Sequence, residues 1–192
     1  MRKLLTKWQT VHTYWLGLFI LSVLLQGLNL VDVMRFDRGV ISQGQWWLLL
    51  TGNLAHLNWN HLLLNMAGLA LVAVFFSAYM SVLSWLVLSL WSALLVGVGL
   101  YYFNPEIFWY VGMSGVLHGL FVVGGWYEFR RFKASGLVLL TLVTAKLIWE
   151  QYAGALPGSE EMAGGRVVVD AHLYGAIAGV VFLGAKSLVV RR

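Results

Sequence analysis

The sequence predicts an all-α polytopic membrane protein, a bundle of six transmembrane helices with both termini cytoplasmic. Three observations lead there. The 192 residues are 60% hydrophobic and only 11% charged, with a mean hydropathy of +0.77, whereas an average soluble domain is roughly half apolar and about a quarter charged. A soluble sphere of this size cannot hide so much apolar surface, which excludes a cytosolic domain together with disorder, collagen-like repeats and coiled coils. At about 20 apolar residues per crossing, the length accommodates six helices and short loops, with no room for a separate soluble domain. Finally, ten tryptophans and eight tyrosines suit aromatic belts at two membrane interfaces. Cysteine is absent, which removes disulfides, a thiol nucleophile and thiolate metal sites.

The elements follow in order within one domain, 1–192. A short basic start is followed by an apolar run over 11–31. That run is about 20 residues long without a small-x-small cleavage site, so it reads as an uncleaved helix rather than a signal peptide. Further spans are expected at 54–76, 80–102, 114–129, 137–152 and 168–190. With the N-terminus inside, cytoplasmic segments carry Arg2, Lys3, Lys7, Arg130, Arg131, Lys133, Lys186, Arg191 and Arg192. The outer side carries only Arg35, Arg38 and Arg166, in line with the positive-inside rule. Topology thereby accounts for the pI of about 9.6, and no nucleic-acid partner is expected. The outer loop 32–52, with Trp46 and Trp47, is expected to lie in the interface. The loop 153–169 is polar and flexible enough to serve as a lid.

In such a background the informative residues are the polar ones inside spans, since each is costly there. Ser114 opens the fourth span between Gly112-Met113 and Gly115. A membrane serine commonly bonds back to its own helix. At a helix start, however, unpaired N–H groups can donate to an anion, and flanking glycines admit a close approach. His172 lies near the outer end of the sixth span, at about the same depth. Ala171, Gly175 and Gly179 form one small-residue face, and Gly115 and Gly119 another. Such faces serve helix packing alone, or they bring a serine and a histidine into hydrogen-bond reach.

His61 and Asn65 share a face of the second span, either as interhelical glue or as donors for an oxyanion. His56 is expected on another part of that helix, in a structural role. Lys146 and Glu150, four apart on the fifth span, read as an ion pair, a snorkelling lysine or part of a transporter relay. Asp170, two before His172, points elsewhere on a regular helix. A metal site from His56, His61 and His118 lacks a convincing ligand spacing, so neither metal nor cofactor is expected.

Three motifs now stand in order on the second, fourth and sixth spans: His56-x4-His61-x3-Asn65, Gly112-Met113-Ser114-Gly115 and Ala171-His172-x2-Gly175-x3-Gly179. In this the chain resembles the rhomboid intramembrane serine proteases over nearly its whole length. The resemblance implies a six-helix rhomboid-like bundle. Ser114 would be the nucleophile and His172 the general base, a dyad without a catalytic acid. His61, Asn65 and the Ser114 N–H would form the oxyanion hole, beside Gly112 and Met113. Two positions depart from the family. Trp46-Trp47 is followed by Leu48 where an arginine is often found, which puts the usual loop conformation in doubt. His118 stands where an aromatic residue often stacks on the catalytic histidine, and it is read as replacing that support, with the working base as the other reading.

The small size, Gly-x-Ser-Gly-x-Leu-His-Gly and Asp170-Ala171-His172 further resemble the rhombosortase subgroup. That implies a processing protease of the bacterial inner membrane, opening to the periplasm. Its substrates would be exported proteins with a C-terminal Gly-Gly segment, a membrane helix and a basic tail. The alternatives are a non-catalytic rhomboid-like protein that binds membrane helices, or a small transporter.

Overall fold

A computed structural model describes residues 2–190, with side chains described for 11–188. Arg191 and Arg192 of the charge reading lie outside the described residues, and the side chains of Arg2, Lys3 and Lys7 outside the described side chains. The chain is mostly helical. Helix α1 (Arg2–Gly27) is followed by a segment of short pieces, called the outer segment after the expected topology: α2 (Val31–Met34), strand β1 (Phe36–Asp37), α3 (Arg38–Ser42) and α4 (Leu48–Thr51). Then come α5 (Trp59–Phe76), α6 (Val82–Phe103), strand β2 (Trp109–Tyr110), α7 (Ser114–Arg131), α8 (Lys133–Ala153), α9 (Ser159–Ala163) and α10 (Val169–Val190).

Trp59–Tyr79, Val82–Phe103 and Val169–Leu188 are long and apolar enough to cross a membrane, and Val11–Gly27 is a shorter apolar helix. Helices α7 and α8 carry His118, Lys146, Glu150 and basic ends, which lowers their hydropathy. Large apolar side chains such as Leu63, Val74, Leu83, Leu142 and Val180 are exposed on the long helices, as expected of a lipid-facing surface.

Helix boundaries follow local chemistry. The first helix ends at Gly27, earlier than the expected residue 31, and Asn29 takes a left-handed φ of 52° that turns the chain. The second long helix begins at Trp59 rather than 54, because Asn58 caps it by accepting from the His61 N–H at 2.9 Å. His56 therefore precedes the helix instead of lying on it. The fifth is longer than 137–152, since only Phe132 separates it from α7.

Helix α7 is central, in contact with α5, α6, α8 and α10. One core joins Trp15, Leu62, Met66, Trp85, Leu88, Val116 and Leu120 across α1, α5, α6 and α7. A second, under the outer segment, contains Phe36, Ile41, Leu48, Val96, Leu100 and Tyr110. Since lipid is as apolar as these side chains, close packing and interhelical hydrogen bonds hold such helices together. Trp15 donates to Ser77 at 2.8 Å and Tyr14 to Ser89 at 2.9 Å, tying α1 to the turn after α5 and to α6. The outer segment is pinned by Arg38, which donates to the carbonyls of Leu100, Tyr101, Asn104 and Ile107 at 2.7–3.0 Å. A guanidinium at the end of α6 satisfies orphan carbonyls and suits the helix dipole. The loop that has Leu48 after Trp46-Trp47 is thus held by a different arginine, Arg38 at the start of α3.

Candidate active site

The approach to Ser114 is fixed before the helix begins. Strand β2 pairs with β1, Phe36 opposite Tyr110, and the Gly112 N–H donates to the Gly52 carbonyl at 3.0 Å. Buried Tyr110 donates its hydroxyl to the Gly112 carbonyl at 2.6 Å. Burial pushes the Tyr110 phenol above its ordinary range, so it stays a neutral donor. Gly112 has a φ of +128°, and a Cβ there would meet the His61 ring at 2.7–2.8 Å. Only glycine fits both conditions. Met113 is buried and precedes Ser114, the first residue of α7, whose first-turn N–H groups have no acceptor further up the helix.

His172 reaches this point because α10 packs against α7 on glycine. A Cβ at Gly115 would lie 2.7 Å from the Ala171 carbonyl, one at Gly119 2.7 Å from the Gly175 carbonyl, and one at Gly179 2.7 Å from the Gly119 carbonyl. A Cβ at Gly175 would run into the Gly115 carbonyl. Across this seam the His172 Nε2 lies 2.9 Å from the Ser114 Oγ. The His118 ring stacks on the His172 ring, with centroids 4.3 Å apart and 19° between planes.

His61 and Asn65 line the same open cleft of about 250 Å³, with Ser114, His172, Leu156 and Val168. The His61 Nδ1 accepts from the Leu57 N–H at 3.4 Å, which leaves its Nε2 to carry the proton, beside Gly112. The Asn65 amide donates one hydrogen to the His61 carbonyl at 3.1 Å and keeps a second. Two expected supporting residues stand apart. His56 meets the site through an edge-to-face contact with His61, centroids 5.3 Å apart. Asp170 accepts from Asn104 at 2.9 Å, turned away from the imidazole two residues on. Leu156, Ser159, Ala163, Arg166, Val167 and Val168, in the loop expected to serve as a lid, border the cleft, and Asn58 ties α9 down by donating to the Ala163 carbonyl at 3.0 Å.

Sequence reasoning did not place Lys146 and Glu150 here. Both are in the site. Glu150 is 3% exposed, and its two oxygens lie 3.0 and 2.9 Å from the His172 Nδ1. The Lys146 Nζ lies 2.5 Å from Glu150, 3.1 Å from the His118 Nε2 and 3.3 Å from the His172 Nδ1. The available signal was the pair's i,i+4 spacing in an apolar helix. What it lacked was the neighbour that α8 would face. His118, Glu150 and His172 bring one possible ligand atom each within 4.8 Å of one another. That spacing suits a metal ion, but the Lys146 ammonium already lies within 3.3 Å of all three groups.

Residues 43–187, about three quarters of the chain and including every residue of this cleft named above, match the Rhomboid domain family. The chain belongs to the rhomboid family. A relative, "Putative rhomboid protease YdcA" of Bacillus subtilis (strain 168), is 32% identical over 91 residues. The match covers 47% of this rhomboid and 45% of that protein, so the chain spans about half the length of the curated relative.

Proposed function

We propose that this rhomboid is an intramembrane serine endopeptidase in which Ser114 is the nucleophile and His172 the general base. One observation carries the reading: the Ser114 Oγ and His172 Nε2, from different helices, lie 2.9 Å apart in a cleft. A serine hydroxyl is a weak nucleophile until a base takes its proton, and a neutral imidazole at hydrogen-bond distance does so. Oγ adds to the scissile carbonyl as its proton passes to Nε2. The oxyanion then meets the His61 Nε2–H, the free Asn65 amide hydrogen and the Ser114 N–H, with Gly112 and Met113 shaping the approach. Collapse breaks the C–N bond, and the leaving amine takes the proton from Nε2. Water, deprotonated by the same nitrogen, then adds to the acyl carbon, and the acyl group leaves Ser114 as the Nε2 proton returns to Oγ. The chemistry needs no cofactor or metal.

In the proposed setting, six helices cross a bacterial inner membrane as one domain over 1–192. The termini are cytoplasmic and the cleft opens to the periplasm. The substrates are rhombosortase-like: exported proteins anchored by a C-terminal Gly-Gly segment, a helix and a basic tail. Glycine weakens a helix by about 1 kcal/mol per residue relative to alanine, so such a segment unwinds readily and presents an extended peptide to the cleft. Co-expression with a reporter ending in Gly-Gly, a helix and basic residues tests this. Cleavage by the wild type and none by Ser114→Ala is expected. An uncut reporter in both removes the Gly-Gly specificity, and cleavage in both removes Ser114.

A further inference from the structure

We propose that Glu150 is a positioning residue for His172, so that this site works as a Ser114–His172–Glu150 relay braced by Lys146. This rests on the reading above that Ser114 and His172 carry the chemistry.

With neutral imidazoles and an ionised Glu150, the hydrogen bonds admit one set of protons, in which the 3.3 Å approach of Lys146 to the His172 Nδ1 is a contact and not a hydrogen bond. A carboxylate only accepts, so the His172 Nδ1, facing both Glu150 oxygens at 2.9–3.0 Å, must carry the hydrogen. The His172 Nε2 is then bare and accepts from the Ser114 hydroxyl at 2.9 Å. The His118 Nδ1 donates to the Ser114 carbonyl at 2.7 Å, so its Nε2 is bare and accepts from the Lys146 ammonium at 3.1 Å. Lys146 gives another hydrogen to Glu150 at 2.5 Å. Glu150 thus selects the tautomer in which the nitrogen facing Ser114 is a base. When the Ser114 proton moves to Nε2, the Nδ1 proton stays on the ring. The carboxylate, closer to Nδ1 than the ammonium is, stabilises the imidazolium that forms.

Helix chemistry alone does not account for the pair. Lysine N-terminal to glutamate is the weaker order for an i,i+4 bridge. A carboxylate in the last turn, where Glu150 stands, also opposes the helix dipole. Nor does an ion pair with Lys146 require Glu150 to turn both oxygens towards Nδ1. Burying a carboxylate needs an opposite charge and full hydrogen bonding, and Lys146 supplies the charge.

Two measurements on the purified full chain test the relay. In ¹⁵N-histidine spectra of the wild type, the His172 signals are those lost in His172→Ala. Nδ1 protonated and Nε2 bare is expected, with a far-downfield proton, and the reverse tautomer overturns the proposal whether or not any Glu150 variant folds. The second is the rate at which a fluorophosphonate–rhodamine probe labels Ser114. Glu150→Gln, whose amide can donate to Nδ1 and reverse the tautomer, should lower that rate by about 100- to 10,000-fold. Glu150→Asp should recover part of it, and Lys146→Met with Glu150→Gln should stay slow. Wild-type rates in Glu150→Gln or in the double variant overturn the relay while leaving the dyad. A wild type labelled no faster than Ser114→Ala overturns the dyad itself. EDTA should leave the wild-type rate unchanged, and a loss restored by zinc would assign the cluster to a metal instead.

Discussion

Ser114 and His172 meet 2.9 Å apart, while the His118 ring, stacked on His172, bonds to the Ser114 backbone and to Lys146 rather than to the Ser114 hydroxyl. His118 is therefore placed to steady the proposed base, His172. In a purified cleavage assay His172→Ala should abolish proteolysis, whereas His118→Ala should lower it and leave residual activity. The reverse pattern would assign the base to His118. His61→Ala and Asn65→Ala should each reduce kcat by about 100- to 1,000-fold with little change in KM, since an oxyanion donor acts in the transition state. A rise in KM alone would make them substrate contacts. At this scale the sequence was readable wherever a residue sits in a motif with its neighbours, as Ser114 does between glycines. Glu150 was not readable: its proposed role depends on a contact with His172, 22 residues away on another helix, and spacing within α8 carries no information about that.

Between elements, the seam of α7 and α10 sets the distance between Ser114 and His172. The small-residue faces at Gly115, Gly119, Ala171, Gly175 and Gly179 were visible as a four-residue repeat, and the seam is built on them. Gly175→Val should push α10 off α7, abolish probe labelling of Ser114 and lower the thermal midpoint. Gly184→Val, on the same helix with open space around its Cα, should change neither. Equal effects of the two would mean that the seam does not govern the site. Helix ends were less legible. The cap by Asn58 and the left turn at Asn29 depend on backbone conformation that the hydropathy of neighbouring residues masks, so apolar runs overstated α1 and α5 at those ends. The anchoring of the outer segment by Arg38 was likewise hidden, because its four acceptors are backbone carbonyls that any sequence would offer.

For the whole molecule, composition announced a membrane protein, and the apolar surface of the long helices and membership of the rhomboid family agree with it. The proposed orientation has a direct check, because the native chain has no cysteine. Single cysteines at Gln45 and Ser159, which that orientation puts on the outer side, should react with an impermeant maleimide in cells whose periplasm is accessible and whose inner membrane is intact. One at Lys133, which is exposed, should react only after the membrane is opened. The opposite pattern would invert the topology. The proposed catalysis falls to polar residues that the helices bring together, Ser114, His172 and Glu150 among them. The most direct measurement is mass-spectrometric mapping of the fluorophosphonate adduct on the purified chain. One adduct on the peptide containing Ser114, absent from His172→Ala, is expected. An adduct on another residue, or equal modification of Ser114 without His172, would contradict the assignment of this pair as nucleophile and base.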